Sequence, residues 1–394
     1  MKKILIIGAG FLQDFVIKKA KNMGYKVLAV DGNPAAIGFK NADDYRIIDI
    51  TDEEKCLKYA LEEKIDGVLT AATDYGVLTA AYIAEKMKLP GLTYSVAKLI
   101  KNKYLVRKCL YENKVDDMEQ SYEVFSDTDL LELSLKVKYP VMVKPCDGSG
   151  SRGASRVDCA KDLSKACLNA IRESKSQKAE IESFINGKEY GAESLVVNGE
   201  ITVLAIMKKW MTTPPYYAEL GHAIPSELPK SIEEKAIDCV KKAIKVLGIT
   251  SGSVNMDMII TGTGKVHIID VGARMGGNMI GPCIIPYGTG INYIENMLKN
   301  AVGDKVQWNF TSHEAVVTKL LAFKGGIVQK IPNFFELANR YNVEIYHHLY
   351  VGQKINEYHT NLDGCGYIIS RGENVEIAEQ QAFKVLNEIE QQIF

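Results

Sequence analysis

The chain has 394 residues, a net charge of −1 and an ordinary globular composition, with 46% hydrophobic and 25% charged residues. This length predicts two or three domains, and the near-neutral charge argues against a nucleic-acid footprint or a polybasic membrane patch. No segment approaches the roughly 18 consecutive apolar residues of a membrane-spanning helix. The eight cysteines form no C-x-x-C pair, which predicts reduced thiols in a cytoplasmic protein.

The first 90 residues alternate short apolar strands with helical segments. The predicted strands are Lys3–Ile7, Lys26–Val30, Tyr45–Ile48 and Gly67–Thr70, and the predicted helices are 12–23, 52–63 and 75–88. Strands that alternate with helices are typical of a doubly wound parallel sheet. The sequence therefore predicts an α/β domain at the N-terminus.

The rest of the chain has a mixed, α+β pattern. A predicted helix at 95–112 precedes strands at 141–145, 179–185 and 190–197. Residues 208–230 contain four prolines and predict a long, partly ordered loop. A helix at 231–247, a hairpin at 253–271 and a final helix at 375–392 follow.

A glycine turn follows the first strand. Gly8 and Gly10 open the first helix, and Asp31 ends the second strand, which together make most of a dinucleotide-binding fingerprint. Gln13 stands where the third glycine would allow helix and strand to pack closely. We therefore favour a turn that binds no dinucleotide, and an NAD(P)-dependent oxidoreductase is an alternative hypothesis for the function.

Residues 141–153 carry the most informative motif. An apolar strand ends in Lys144, and residues 146–153, which we call the glycine loop, contain three glycines, two serines and one arginine. Small residues let backbone N–H groups close around an anion. The motif therefore predicts a phosphate-binding loop beside the positive charge of Lys144.

The hairpin at 253–271 predicts a metal site. If Ile260 pairs with Lys265, Asp257 is diagonal to Asp270 and both carboxylates share one face of the sheet. Diagonal neighbours are about 7–8 Å apart, and Mg²⁺ commonly takes one or two protein carboxylates. Two unrelated surface aspartates are the alternative, but Arg274 and a glycine pair follow directly and add a second anion-binding element.

The chain resembles the ATP-grasp superfamily in the order of its elements, which are Lys103 with Arg107, Lys144 with the glycine loop, Glu182 to Glu189, Asp257 with Asp270, and Arg274. The resemblance implies an N-terminal α/β (pre-ATP-grasp) domain at 1–95. It also implies a two-lobed ATP-grasp domain at 96–305, with a lid subdomain at about 120–187, and a C-terminal α+β subdomain at 306–394 that completes the fold. Gly221-His222 followed by Pro225 is similar to the carbamoyl-phosphate-synthase-like, amino-acid-ligase group.

The resemblance also implies roles for individual residues. ATP would contact Lys103, Lys144, Gly148, Ser149, Gly150, Ser151, Arg152, Gly153, Glu182, Phe184, Ile185 and Glu189. Asp257 and Asp270 would hold Mg²⁺ or Mn²⁺. Arg274, Lys144 and His222 would be catalytic, and the substrates would contact Asp74, His222, Arg274, Gly276, Gly277 and Asn278. We place Asp74 at the end of the fourth strand and His222 in the proline-rich loop.

The function implied by the resemblance is that of an ATP- and Mg²⁺-dependent carboxylate–amine ligase. Its partners would be a small-molecule carboxylate and an amine, with no nucleic acid and no membrane, and a homodimer is the family-level expectation. Asp270 replaces the usual glutamate and Gly272 the usual asparagine of the superfamily's metal motif. A weakly active ATP-binding regulatory protein is therefore a further alternative.

Overall fold

A computed structural model describes residues 1–148 and 150–394, so Ser149 lies outside the described residues. The N-terminal part is a four-stranded parallel sheet of order β3-β2-β1-β4, as predicted. Ile4 to Ile7 of its first strand are fully buried, as expected of a strand covered on both faces. Its elements are β1 (Lys3–Ile7), α1 (Phe11–Asn22), β2 (Lys26–Asp31), β3 (Asp44–Ile47), α2 (Glu53–Glu63), β4 (Gly67–Thr70) and α3 (Val77–Met87).

A second four-stranded sheet, of order β5-β8-β6-β7, is antiparallel. It packs on α7 through an apolar cluster that includes Val143, Leu163 and Ile181. The elements of this region are α4 (Tyr94–Lys101), α5 (Lys103–Glu112), β5 (Ser121–Val124), α6 (Leu130–Lys136), β6 (Val141–Pro145), β7 (Ser155–Val157), α7 (Ala160–Glu173) and β8 (Ala179–Ser183).

The largest sheet has eight strands in the order β13-β12-β9-β10-β11-β14-β18-β16. It joins strands from both segments predicted as 96–305 and 306–394. Its elements and the neighbouring ones are β9 (Lys188–Val197), β10 (Glu200–Met211), β11 (Glu219–Ile224), α8 (Lys230–Val246), β12 (Gly252–Ile260), β13 (Val266–Gly272), α9 (Ile285–Thr289), α10 (Tyr293–Ala301), β14 (Ala315–Leu320), β15 (Gly326–Ile327), α11 (Phe334–Tyr341), β16 (Val343–His347), β17 (Lys354–Ile355), β18 (Gly366–Gly372) and α12 (Val375–Ile393).

The predicted fold class is confirmed, while two local predictions are wrong. The helix predicted at 95–112 is two helices, because Asn102 leaves helical geometry and its side chain accepts a hydrogen bond from Leu105 N and so caps α5. The loop predicted at 208–230 contains the end of β10, which continues to Met211, and the whole of β11, with which β10 pairs. The irregular segments are residues 212–218 and 225–229. Among the described residues, no helix is long and apolar enough to cross a membrane.

Candidate active site

A cavity of about 340 Å³ lies between the small antiparallel sheet and the β12–β13 end of the large sheet. It brings together most of the residues predicted to contact a nucleotide, although they come from separate strands and loops. The predicted residues that line it are Lys103, Lys144, Gly148, Gly150, Ser151, Arg152, Glu182, Phe184, Ile185, Glu189, Asp257 and Asp270. Apolar side chains such as Met142, Ile259 and Ile269 line the rest, which suits a flat aromatic group with a charged end.

The glycine loop forms one wall of the cavity. Gly150 and Gly153 have φ angles of +66° and +70°. Residues that carry a side chain rarely adopt this backbone conformation. Ser151 Oγ donates to Tyr217 O at 2.8 Å, and Arg152 Nη2 donates to Tyr75 Oη at 2.6 Å. The loop therefore contacts both the N-terminal domain and the turn after β10. Of the predicted loop residues, Gly153 packs outside the cavity against Glu173 and Pro145.

Lys144 ends β6 and is held by two partners. Its ammonium donates to Glu182 Oε1 at 2.7 Å and to Ile269 O at 2.9 Å. Glu182 also accepts from Arg107 Nε at 3.1 Å, and Arg107 is itself only 3% exposed. The Glu182 carboxylate is thus engaged by two cations. The pKa of Lys144 is raised because Glu182 and Glu180 outweigh the effect of burial, so its charge is retained.

The two predicted metal ligands lie directly opposite each other, which corrects the diagonal register. Ile260 pairs with Val266, and an irregularity between Asp257 and Met258 shifts the rest of the hairpin, so Asp257 pairs with Asp270. The irregularity leaves Ile269 of β13 without a partner between Ile268 and Asp270, which alternation alone does not reveal. Direct partners are closer than diagonal ones, so the two carboxylates are better placed to share a cation than the predicted register allowed.

A buried lysine that the sequence analysis missed binds Asp257 of this pair together with two glutamates. Lys209 on β10 is fully buried, and its ammonium lies 2.7 Å from Asp257 Oδ1, 2.8 Å from Glu189 Oε1 and 2.6 Å from Glu219 Oε1. Strand β9 separates β10 from β12, and Gly191 of β9 pairs with Asp257. The side chain of Lys209 therefore reaches across β9 and passes Gly191, whose ideal Cβ position lies at an ordinary van der Waals distance of 3.8 Å from Lys209 Cδ.

The charge balance at this place suits a divalent cation. Among the described residues, four carboxylates, Asp257, Asp270, Glu189 and Glu219, ion-pair with two lysines, Lys209 and Lys103. Two negative charges therefore remain. Burial and the neighbouring carboxylates raise the pKa of Asp257, although Lys209 opposes them. Carboxylate oxygens and a surplus of negative charge are what Mg²⁺ requires, so the residues present fit the metal that the sequence predicts.

Arg274 lies just after β13 and is held from two sides. Its Nε and Nη2 donate to Asp74 Oδ1 and Oδ2 at 2.9 and 3.2 Å, and Nη1 donates to Asn255 Oδ1 at 3.3 Å. Asp74 is not at the end of the fourth strand, as predicted, but in the loop four residues after β4. Burial lowers the pKa of the guanidinium, but Asp74 outweighs it and the pKa is raised.

The other residues predicted to contact substrate fall in two places. Gly276 N donates to the fully buried Glu193 carboxylate at 3.1 Å, and Asn278 Nδ2 donates to Glu219 Oε2. Gly277 lies between them, with Leu12 Cδ1 at 4.0 Å from a Cβ built on it. Glu193 and Glu219 are both missed by the sequence analysis, because nothing local distinguishes them from other strand glutamates.

His222 is not in a loop, because it belongs to β11, pairs with Lys209 across the sheet and is 2% exposed. Its Nε2 lies 3.9 Å from Glu219 Oε1, and its Nδ1 has no hydrogen-bond partner among the described residues. Burial lowers its pKa to about 4, so the ring is neutral at pH 7. His222 does not line the 340 Å³ cavity, and its catalytic role stays a prediction.

The acidic residue beside the N-terminal glycine turn, Asp31, accepts hydrogen bonds from two backbone N–H groups. Asp31 Oδ2 accepts from Ala9 N at 2.8 Å, and Oδ1 accepts from Asn33 N at 2.8 Å. Gln13, in place of the third glycine, donates to Ala71 O and lies over Gly8. The carboxylate that would bind a ribose in a dinucleotide site instead stabilises the turn.

Comparisons with known proteins agree with this geometry. Residues 137–282 match the family model of the ATP-grasp domain. The L-amino acid ligase of Bacillus licheniformis superposes with a TM-score of 0.85 at 24% identity, covering 99% of this chain and 98% of that one. The D-alanine–D-alanine ligase of Acetivibrio thermocellus is 28% identical over 222 residues, which are 53% of this chain and 52% of that protein.

The carbamoyl phosphate synthase large chain of Clostridium botulinum (strain Langeland) is 22% identical over 288 residues. The match covers 69% of this chain but 27% of the synthase, so the chain spans about a quarter of that relative's length. The three relatives named here are two ligases and a synthase, and the oxidoreductase alternative is not supported.

Proposed function

We propose that this chain is an ATP- and Mg²⁺-dependent ligase that joins a small-molecule carboxylate to an amine, since residues 137–282 match the family model of the ATP-grasp domain. The observation that carries the proposal is the direct opposition of Asp257 and Asp270 on the wall of the cavity that Lys103, Lys144 and the glycine loop also line. The similarity to an L-amino acid ligase over 99% of the chain supports the carboxylate–amine reaction class.

The proposed reaction has two steps. In the first, a carboxylate oxygen attacks the γ-phosphorus of ATP, the bond to the bridging oxygen breaks, and ADP leaves. In the second, the amine attacks the carbonyl carbon of the acyl phosphate, the bond to the phosphate oxygen breaks, and the amine releases a proton to solvent or a nearby base. No covalent bond to the protein is needed, so the protein contributes position and charge.

The residues of the cavity are suited to those contributions. Lys144 and the backbone of the glycine loop would bind the phosphates, and Phe184 and Ile185 would contact the base. Asp257 and Asp270 would hold Mg²⁺, which supplies charge neutralisation on the phosphate oxygens when bound. Arg274 would bind the carboxylate or the acyl phosphate, because its planar guanidinium offers paired donors to such groups.

The experiment is a measurement of phosphate release with ATP and MgCl₂ across a matrix of α-amino acids and other carboxylates against amines, with the amide detected by mass. We expect phosphate and amide to appear together for at least one pair. ATP hydrolysis or binding without an amide, across the whole matrix, would contradict the ligase proposal and favour a regulatory ATP-binding protein.

Two variants test the site itself. Lys144→Met should lower kcat/KM by about 100-fold or more, as expected when a charge that stabilises the transition state is removed. Lys178→Met is the matched control, because Lys178 is a partly exposed lysine that pairs with Glu123 at 3.2 Å and does not line the cavity. Equal effects of the two substitutions would refute the role of Lys144.

A further inference from the structure

One buried carboxylate behind the candidate active site has no role in the proposed reaction. Glu193 lies in the middle of β9 and is fully buried. Its Oε1 accepts from Tyr293 Oη and from Gly276 N at 3.1 Å, and its Oε2 accepts from Asn255 Nδ2 at 2.9 Å. Three donors therefore converge on this carboxylate, and two of them belong to the segments that surround Arg274.

Asn255 connects Glu193 to Arg274. Both oxygens of Glu193 accept hydrogen bonds, so the Asn255 amide turns its NH₂ group toward this carboxylate and donates to Oε2. The amide oxygen then faces the other way and accepts from Arg274 Nη1 at 3.3 Å. The orientation of the Asn255 amide is thus decided by the partner behind it, and that orientation decides whether Arg274 meets an acceptor or a donor.

We propose that Glu193 is a positioning residue for Arg274, acting through the orientation of the Asn255 amide. Glu193 fixes one side of the guanidinium from within the large sheet, while Asp74 of the N-terminal domain fixes the other with two hydrogen bonds. Glu193 also holds Gly276 N, so the arginine and the glycine backbone that follows it are located by the same carboxylate. The inference rests on the proposed role of Arg274 in the ligase reaction.

Glu193→Gln tests the inference because it keeps size and shape. The glutamine oxygen can still accept from Tyr293 and Gly276, which places its NH₂ group against Asn255. Asn255 must then rotate to present its oxygen, and its NH₂ group would face Arg274. Two donors now oppose each other, and Arg274 loses its acceptor. We expect kcat for phosphate release to fall about 10- to 100-fold and the KM for ATP to change less than about 2-fold.

The double variant Glu193→Gln/Asn255→Asp should recover most of the lost kcat. An aspartate at 255 can accept from the glutamine NH₂ group with one oxygen and from Arg274 with the other, so the guanidinium regains its partner. A merely structural role predicts no recovery, because a second substitution of a buried polar residue typically lowers stability further. A double variant as slow as Glu193→Gln, or a Glu193→Gln protein with wild-type kcat, would overturn the inference.

Two further variants separate an effect on Arg274 from an effect on folding. Asp14→Asn changes another buried carboxylate that accepts from an asparagine amide, Asn41 Nδ2 at 2.6 Å, but it lies in α1 of the N-terminal domain. We expect it to leave kcat unchanged. If Glu193→Gln does not fold, Asn255→Ser breaks the same connection from its other end and should give the same loss of kcat. Wild-type kcat in Asn255→Ser would refute the inference.

Failure of the inference is distinguishable from failure of the proposed function. If wild-type protein releases no phosphate with any substrate pair, the ligase proposal fails, and the Glu193 inference is then decided by a crystal structure of Glu193→Gln. We expect the distance between Arg274 Nη1 and the nearer terminal atom of the Asn255 amide to lengthen from 3.3 Å to beyond hydrogen-bond range, because two donors would face each other. An unchanged contact would overturn the inference whatever reaction the protein catalyses.

Discussion

Replacing Lys209 by methionine is the perturbation for which the structure predicts the largest effect on stability. The ammonium is fully buried and lies within 2.8 Å of three carboxylates, Asp257, Glu189 and Glu219. Removing one partner of a buried ion pair typically costs about 3–5 kcal/mol, because the other charge is left uncompensated. The carboxylates here keep 17–23% of their side-chain exposure, so water can solvate them in part. We therefore expect a loss of about 3 kcal/mol.

The measurement is urea-induced unfolding of wild type, Lys209→Met and Lys208→Met. Lys208 is the matched control, since it is the preceding residue of β10 and its partly exposed ammonium pairs only with Glu227 among the described carboxylates. A surface pair of this kind contributes about 0–1 kcal/mol. We expect the control Lys208→Met to lower the unfolding free energy by less than about 1 kcal/mol. A loss as small as that in Lys209→Met would refute the reasoning about this cluster.

The pH and metal dependence of Lys209→Met follow from the same charges. Without the lysine, the neighbouring carboxylates repel one another, and the folded-state pKa of Asp257, which burial already raises, lies further above that of the unfolded chain. The folded state then binds more protons, so stability falls as pH rises above the unfolded pKa of about 4. The deficit relative to wild type should therefore be smaller at pH 5 than at pH 8. MgCl₂ should recover more stability in the variant than in wild type, because a cation that binds only the folded state stabilises it.

Three further outcomes are expected. Asp270→Asn should raise the MgCl₂ concentration needed for half-maximal phosphate release by about 10-fold or more, and an unchanged Mg²⁺ dependence would exclude it as a ligand. Burial lowers the pKa of Lys319 to about 8, so the unfolded chain binds more protons between pH 8 and about 10.5. The stability of the wild type should therefore rise with pH across that window. Lys319→Met should be up to about 3 kcal/mol more stable than the wild type at pH 7, and this advantage should disappear above about pH 10.5. Thermal unfolding of the two proteins at several pH values measures the difference. Tyr75→Phe removes the hydroxyl that Arg152 contacts and should raise the KM for ATP by about 2- to 5-fold, whereas Tyr82→Phe, on the same domain, should not.

The local elements of the fold were predictable because their signals are short in range. Apolar runs of four or five residues identified the parallel strands, and β6 was predicted with its observed bounds, Val141–Pro145. The break at Asn102 and the extension of β10 were missed for a common reason. A capping side chain and a pairing partner both override the propensity of the segment itself, and the partner of β10 lies beyond a turn that contains two prolines.

The same distinction between local and long-range signals applies to the residues of the candidate site. Lys144, the glycine loop, Asp257 and Asp270 were recognisable because each belongs to a motif that is contiguous in the chain or joined by one hairpin. Their exact pairing was not predictable, because an extra residue in β13, Ile269, shifts the register of the hairpin and no side-chain pattern indicates it. The position of His222 was also missed, since a histidine near prolines is typical of a loop and only pairing with β10 and β14 buries it.

The sequence by itself determined which chemical groups are present and on which local elements they lie, since periodicity and turn residues act over a few positions. Only the tertiary structure decided which charges meet. Asp74 and Arg274 are 200 residues apart and pair because the loop after β4 packs on the segment after β13. Lys209 on β10 reaches Asp257 on β12 because both strands pair with β9 in the large sheet. Sheet order and strand register set these distances, and electrostatic interactions depend on distance and burial rather than on separation along the chain.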